Sequence, residues 1–306
     1  MSFPLRPSSL GPLPLLQATR YVTPLREGGS LPAILDTARP DGTPGGLFVA
    51  KFRGAGQGAR ALVAELIVGH LAQRLGLLVP DLALVDLGET FGRTEPDPEI
   101  QDILKGSRGL NVGLRYLDGA FTYDAALPDV DAEVVDPETA AAVVWLDALV
   151  TNIDRTARNP NLLLTQEAGH DRPSLWLIDH GAALYVHHAW GTDTWEATVE
   201  EKARAPFVPI RDHVLLPVAG DIAAADERLA PLLDAATLRA TLDAVPDALL
   251  MDAPEGRTPP FASADANRAA YLAWFEARLM APRAFAAEAV RAQAAGADTD
   301  ALPYRR

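Results

Sequence analysis

Apolar and polar positions alternate in blocks along this chain, and the period of the blocks changes partway through. Between residues 20 and 53 the pattern predicts paired strands: Leu31 to Leu35 is one apolar run, and Gly45 to Phe52 is a second that carries Lys51 at its end. Asp41-Gly42 marks a turn between them. Gly54 to Gly58 reads as a loop, followed by a helix from about Ala59 to Leu75 with Leu62, Val63 and Leu66 on its apolar side. Gly76 is placed to end that helix, and a strand is expected over Leu82 to Leu87.

Residues 89 to 111 are polar and read as a connection with one short helix. Val112 to Leu117 is the next expected strand, and residues 120 to 135 a second connection. Asp136-Pro137-Glu138 is a helix start, with a capping aspartate and a proline at the first helical position. That helix should end near Asn152. A polar loop, 152 to 160, leads to a hairpin with strands at 161 to 165 and 174 to 178, and Asp179 follows directly. Helices are expected over 193 to 204, 233 to 244, 263 to 280 and 283 to 295.

The chain has 306 residues, 48% of them apolar, enough for a sizeable core. The stretch from Met1 to Gln17 is broken by four prolines and does not read as a signal peptide. No apolar run reaches the length of about 18 residues that a membrane helix requires. The expectation is a soluble, cytoplasmic chain that uses no membrane. The absence of cysteine excludes disulfides, thiolate metal sites and thiol nucleophiles. With six histidines and no His-x-x-x-His pair, any metal should be a hard cation on oxygen ligands. A formal net charge of -14 speaks against direct nucleic-acid binding but leaves room for a small phosphate pocket.

Asp154, Asn159 and Asp179 are the residues with the clearest chemistry. Asp179 and Asn159 could hold a divalent metal against phosphate oxygens, the neutral amide leaving net positive charge on the ion. Asp154 could then orient an attacking hydroxyl. Taken singly, each is as readily a loop residue bonding its own backbone. Lys51 suits a point charge on donor phosphates, although a lysine ending a strand can equally snorkel to solvent. Glu65 shares a helix face with Ala61, Leu62, Gly69 and Ala72, a position suited to an inward acid that fixes Lys51. Gly28-Gly29-Ser30 could cradle phosphates with backbone N–H groups, or be only a turn. Neither a P-loop nor a dinucleotide glycine pattern is present.

In order along the chain, Val49-Ala-Lys51-Phe, Ala64-Glu65-Leu, Asn152-Ile-Asp154-Arg155, Asn159-Pro-Asn161-Leu and Leu177-Ile-Asp179-His180-Gly181 resemble the HipA-like kinase domain family. The resemblance runs from about residue 20 to 290. It implies an α+β, two-lobed, protein-kinase-like fold with a small mainly β N-lobe over 20–113 and a larger mainly helical C-lobe over 114–295. Residues 1–19 would be an N-terminal extension and 296–306 a flexible tail.

The resemblance also implies an ATP- and Mg2+-dependent phosphotransferase with a hydroxyl acceptor, a protein serine or threonine or another alcohol. Lys51 takes the role of the nucleotide-phosphate lysine, Glu65 its helix partner, Asp154 the catalytic-loop aspartate, and Asn159 and Asp179 the metal ligands. Asn161 is a rival to Asn159, and the five-residue spacing from Asp154 favours Asn159. Arg115, Tyr116 and Leu117 fall at the interlobe hinge beside the nucleotide.

The chain departs from the family pattern at Thr156, where histidine is usual, at Arg158 in place of lysine, and at His180 in place of the phenylalanine of Asp-Phe-Gly. These departures leave open a second reading, a nucleotide-binding interaction module with weak or no catalysis and a regulatory protein partner.

Overall fold

The computed structural model describes residues 12–25, 31–56, 58–93, 95–124, 134–166, 172–191, 195–253 and 258–300. Strands β1 (Leu15–Pro24), β2 (Ala33–Ala38), β3 (Pro44–Lys51), β4 (Leu82–Leu87) and β5 (Gly109–Arg115) form a closed barrel in the order β1-β2-β3-β5-β4. All neighbours pair antiparallel except β1 and β4, which close the barrel in parallel through Leu15–Gln17 and Leu84–Asp86. Ala33, Leu35, Ala50, Phe52, Val85 and Leu87 pack inside it. The interior is narrow at β5: a Cβ on Gly113 would stand 2.7 Å from a methyl group of Val85. β1 opens at Leu15, ahead of the paired strands expected from residue 20.

Helix α1 (Gly58–Arg74) follows β3, and α2 (Pro98–Gly106) lies in the polar connection between β4 and β5. α1 ends as its sequence requires. Gly76 takes φ +79° and donates its N–H to the carbonyl of Gln73, while the N–H of Leu77 reaches back to Ala72. This paired capping satisfies carbonyls that the helix end leaves open. Residues on most sides of α1 are buried, from Leu62 through Ala72 without a break. The one-sided apolar face read from the sequence understates this, because α1 lies against β5 on one side and helices of the C-terminal half on the other.

β5 starts at Gly109, three residues before the expected strand, and it ends at Arg115. Gly109 to Leu114 pair in register with Leu87 to Leu82, so the partner strand sets the bounds rather than the local apolar run. A second sheet, in the order β6-β7-β8, comprises β6 (Phe121–Thr122), β7 (Leu162–Thr165) and β8 (Ser174–Leu177). β6 lies inside what the sequence suggested was only a connection.

The C-terminal half is helical. It contains α3 (Pro137–Leu149), α4 (Trp195–Arg204), α5 (Ile222–Leu229), α6 (Ala235–Asp243), α7 (Asp247–Leu250), α8 (Ala264–Leu279) and α9 (Ala284–Asp300). Asp136 caps α3, accepting from the N–H of Thr139 at 2.9 Å, with Pro137 at the first turn. α5 and α7 were not expected from the sequence, although Asp221 caps α5 in the same manner. The larger core joins α1, α3, the β7–β8 hairpin and these helices. Among the described residues no helix is long and apolar enough to cross a membrane.

Candidate active site

Lys51 is the last residue of β3. Ala50 points into the barrel, so the two-residue period of a strand turns Lys51 outward, toward α1. There its Nζ donates to Glu65 Oε2 at 2.8 Å and to Asp179 Oδ1. Glu65 has no exposure and Lys51 is 8% exposed. Burial alone would strip the lysine of its proton, but the two carboxylates outweigh it and hold the Lys51 pKa above its ordinary value. Burial likewise acts to raise Glu65; the Lys51 charge and the bonds from His180 prevail and hold it well below the usual carboxylate range.

His180, the departure from Asp-Phe-Gly, belongs to this cluster. Its backbone N–H donates to Glu65 Oε2 at 2.8 Å, and its Nδ1 lies 3.3 Å from Glu65 Oε1. An ionised carboxylate only accepts, so this contact places the ring proton on Nδ1. The substitution thus ties the residue after Asp179 directly to α1.

Asp154 sits in the loop after α3. Its backbone N–H donates to Asn152 Oδ1 at 3.1 Å. Its Oδ2 accepts from Asn159 Nδ2 at 2.7 Å and from Asn161 Nδ2 at 3.4 Å. The loop and Asp179 meet at the mouth of the hairpin, where the N–H of Ile178 donates to the carbonyl of Asn161 at 3.1 Å. Asn161 and Asp179 both take left-handed backbone, φ +51° and +54°, which asparagine and aspartate tolerate better than other side chains. Thr151 (φ +55°) and Leu184 (φ +54°) do so as well, beside the bond from the Leu184 N–H to Val150 O at 2.7 Å. A β-branched residue there is strained, as backbones around functional sites often are.

The structure therefore joins Lys51, Glu65 and Asp179 in one cluster and Asp154 with Asn159 and Asn161 in another. Arg115, Tyr116 and Leu117 lie elsewhere, where the barrel hands over to β6. Arg115 is committed to Asp81 at 2.9 Å and stacks on Phe48, and the Tyr116 N–H donates to Leu47 O at 3.0 Å. Gly28, Gly29 and Ser30 fall outside the described residues.

Asp147, Arg155 and His213 are polar, buried and directly behind the loop; the sequence alone assigns no role to Asp147 or His213, and Arg155 enters only as part of the Asn152-Ile-Asp154-Arg155 motif. The available signal was an aspartate inside the otherwise apolar run from Val143 to Val150. Asp147 accepts from Asn152 Nδ2 at 3.0 Å, from Arg155 Nε and from His213 Nε2 at 2.9 Å. Its own burial is unfavourable to charge, yet Arg155 and His213 hold its pKa well below the usual range. Burial pushes the His213 pKa down, against the hydrogen bond and charge of Asp147, which act to raise it.

Other buried histidines make the fold sensitive to acid. Burial, reinforced by Arg74, lowers the His70 pKa to about 4, and burial, with His188 and Arg60, holds His187 well below its ordinary value. The unfolded chain takes up these protons near pH 6.5 and the folded chain does not, so acid favours unfolding through the window from about 6.5 down to 4. His70 alone should remove about 2 kcal/mol of stability between pH 7 and pH 5. Urea midpoints at the two pH values check this, and the difference should shrink in His70→Gln. Equal midpoints for the parent chain would rule it out.

The family model of HipA-like kinases matches residues 41–199, just over half of the chain. The chain belongs to the HipA-like kinase family. No curated protein matches it. Among solved structures it is similar to the crystal structure of a Helicobacter pylori proinflammatory kinase, CtkA, at 12% identity and a TM-score of 0.49, over 90% of this chain and 94% of that one.

Proposed function

We propose that this HipA-like chain is an ATP- and Mg2+-dependent phosphotransferase that moves the γ-phosphate to a hydroxyl acceptor, with a protein serine or threonine as the first candidate. In this reading the barrel-bearing part, which the strands extend to 15–115, and the helical part after it act as two lobes with the nucleotide between them, in the cytoplasm. The observation that carries it is the meeting of Lys51 at the end of β3 and Glu65 in α1 with the distant Asp179, one hairpin mouth away from Asp154.

The residues fit a hard cation. Magnesium takes one or two protein oxygens and completes its shell with phosphates and water. No group of three or more His, Cys, Asp or Glu suited to a metal occurs among the described residues. Asp179 would hold the metal, and the hairpin register favours Asn161 beside it: Asn161 bonds the residue that precedes Asp179. Asn159, nearer to Asp154, then serves to orient that carboxylate, whereas the sequence spacing alone had favoured Asn159 as ligand. When bound, the metal neutralises charge developing on the phosphates.

Lys51 would bind the donor phosphates, with Glu65 keeping it charged and aimed. Asp154 would accept a hydrogen bond from the acceptor hydroxyl and align it for in-line attack. Arg115 to Leu117 would border the nucleotide at the hinge, where their backbone is the available contact, since the Arg115 side chain is occupied by Asp81.

The test is ATP binding by calorimetry with Mg2+, followed by γ-phosphate transfer or release in the parent chain and in Asp154→Ala. Binding with turnover that is lost in Asp154→Ala supports the proposal. Binding without any turnover favours the nucleotide-binding module, and no binding at all sinks both.

A further inference from the structure

Arg155 is among the largest fully buried side chains of the protein, at 1% exposure. It cannot touch a substrate from there, and a buried ion pair is by itself poor evidence of stabilisation, since apolar replacements often do as well. What distinguishes it is where the guanidinium reaches. Nε donates to Asp147, while Nη1 donates to the backbone carbonyl of Asn161 and, at 3.3 Å, to that of Ile178. Those carbonyls lie on opposite sides of the hairpin mouth, one on Asn161 itself and one immediately before Asp179.

Asp147 serves a second arm as well. It accepts from Asn152, which in turn accepts from the N–H of Asp154. One carboxylate in α3 therefore governs both the backbone of Asp154 and the arginine that grips the hairpin. His213 closes the arrangement from outside. The N–H of Leu215 donates to its Nδ1 at 3.1 Å, so the ring hydrogen is on Nε2 and points to Asp147. His213 also pairs with Thr156 as an isolated antiparallel bridge, and the N–H of Val214 donates to the carbonyl of Arg155 at 3.1 Å.

We propose that Asp147, Arg155 and His213 form a positioning relay that sets the spacing between Asp154 and the hairpin mouth carrying Asn161 and Asp179. The relay rests on the phosphotransferase reading for its catalytic consequence and on hydrogen-bond geometry for its existence. Reacting groups displaced by about 1 Å can lose on the order of a hundredfold in rate, so loosening the relay acts on turnover more than on nucleotide affinity.

Two conservative variants separate positioning from bulk stability. Asparagine at 213 can still accept from the Leu215 N–H but is too short to reach Asp147; glutamine can reach it. His213→Asn should lower kcat by about 10- to 100-fold with KM for ATP within about threefold, and His213→Gln should recover most of the loss. Amide hydrogen exchange should accelerate in His213→Asn over residues 152–161 and 178–180, with the barrel strands and α8 unchanged. Unchanged kcat and exchange in His213→Asn overturn the relay, as does an equal defect in both variants with exchange raised evenly through the fold. The exchange measurement needs no turnover. If the parent chain transfers no phosphate, the phosphotransferase reading falls and the exchange result still decides whether the relay exists.

Discussion

Replacing Asp179 by asparagine is expected to lower phosphoryl transfer from ATP by about a hundred- to a thousandfold, the range found when a group aimed at transition-state charge is removed. The side chain is 37% exposed, so it is accessible to a metal, and its Oδ1 is already held against Lys51. The amide keeps the shape and one oxygen but loses the charge that a magnesium ion needs. Lys51 remains charged in the variant, because Glu65 still holds it at 2.8 Å. Metal-free ATP should therefore bind at least as well as to the parent chain, since one competitor for the lysine has gone. Turnover and metal-free nucleotide affinity measured side by side check both statements. A variant within tenfold of the parent rate would remove Asp179 from the proposed metal site.

Asp147→Ala is expected to destabilise the fold by about 3–5 kcal/mol, the usual cost of stripping one partner from a buried ion pair. Asp147 and the Arg155 side chain have no exposure, so water cannot replace the lost carboxylate. The truncation leaves Arg155 Nε, the Asn152 amide and His213 Nε2 without their acceptor at once. Against a typical total of about 5–15 kcal/mol for a folded domain, this is a large fraction. Denaturant unfolding gives the number. A loss under about 1 kcal/mol would mean that the surrounding carbonyls already satisfy the arginine. Asp147→Asn should cost less, because its amide oxygen still accepts.

Local chemistry made much of the fold legible. Asp136-Pro137 started α3 where expected, Gly76 ended α1, and β4 and the β7–β8 hairpin lay where apolar runs met turn residues. The misses share a cause. β6 is two residues long and exists because β7 offers an edge to it, and β5 takes its bounds from β4. Neither follows from a pattern confined to its own residues. α7, four residues long, is too short to show a helical period.

The candidate site divides in the same way. The residue types and their order along the chain were enough to select Lys51, Glu65, Asp154 and Asp179, because a lysine, a helix acid and two aspartates at element ends carry recognisable chemistry. Spacing favoured Asn159 over Asn161; both amides reach Asp154, and the hairpin register brings only the backbone of Asn161 to the residue before Asp179. The partners of His180 were also invisible: Glu65 lies 115 positions away, and their contact depends on how α1 packs behind the hairpin. Asp147, Arg155 and His213 were harder still. Sequence determined which residues are candidates for phosphate chemistry; tertiary packing decided which of them are buried together. Burial is what makes a pair of charges matter, because away from water an unmatched charge is costly and a matched one holds its geometry.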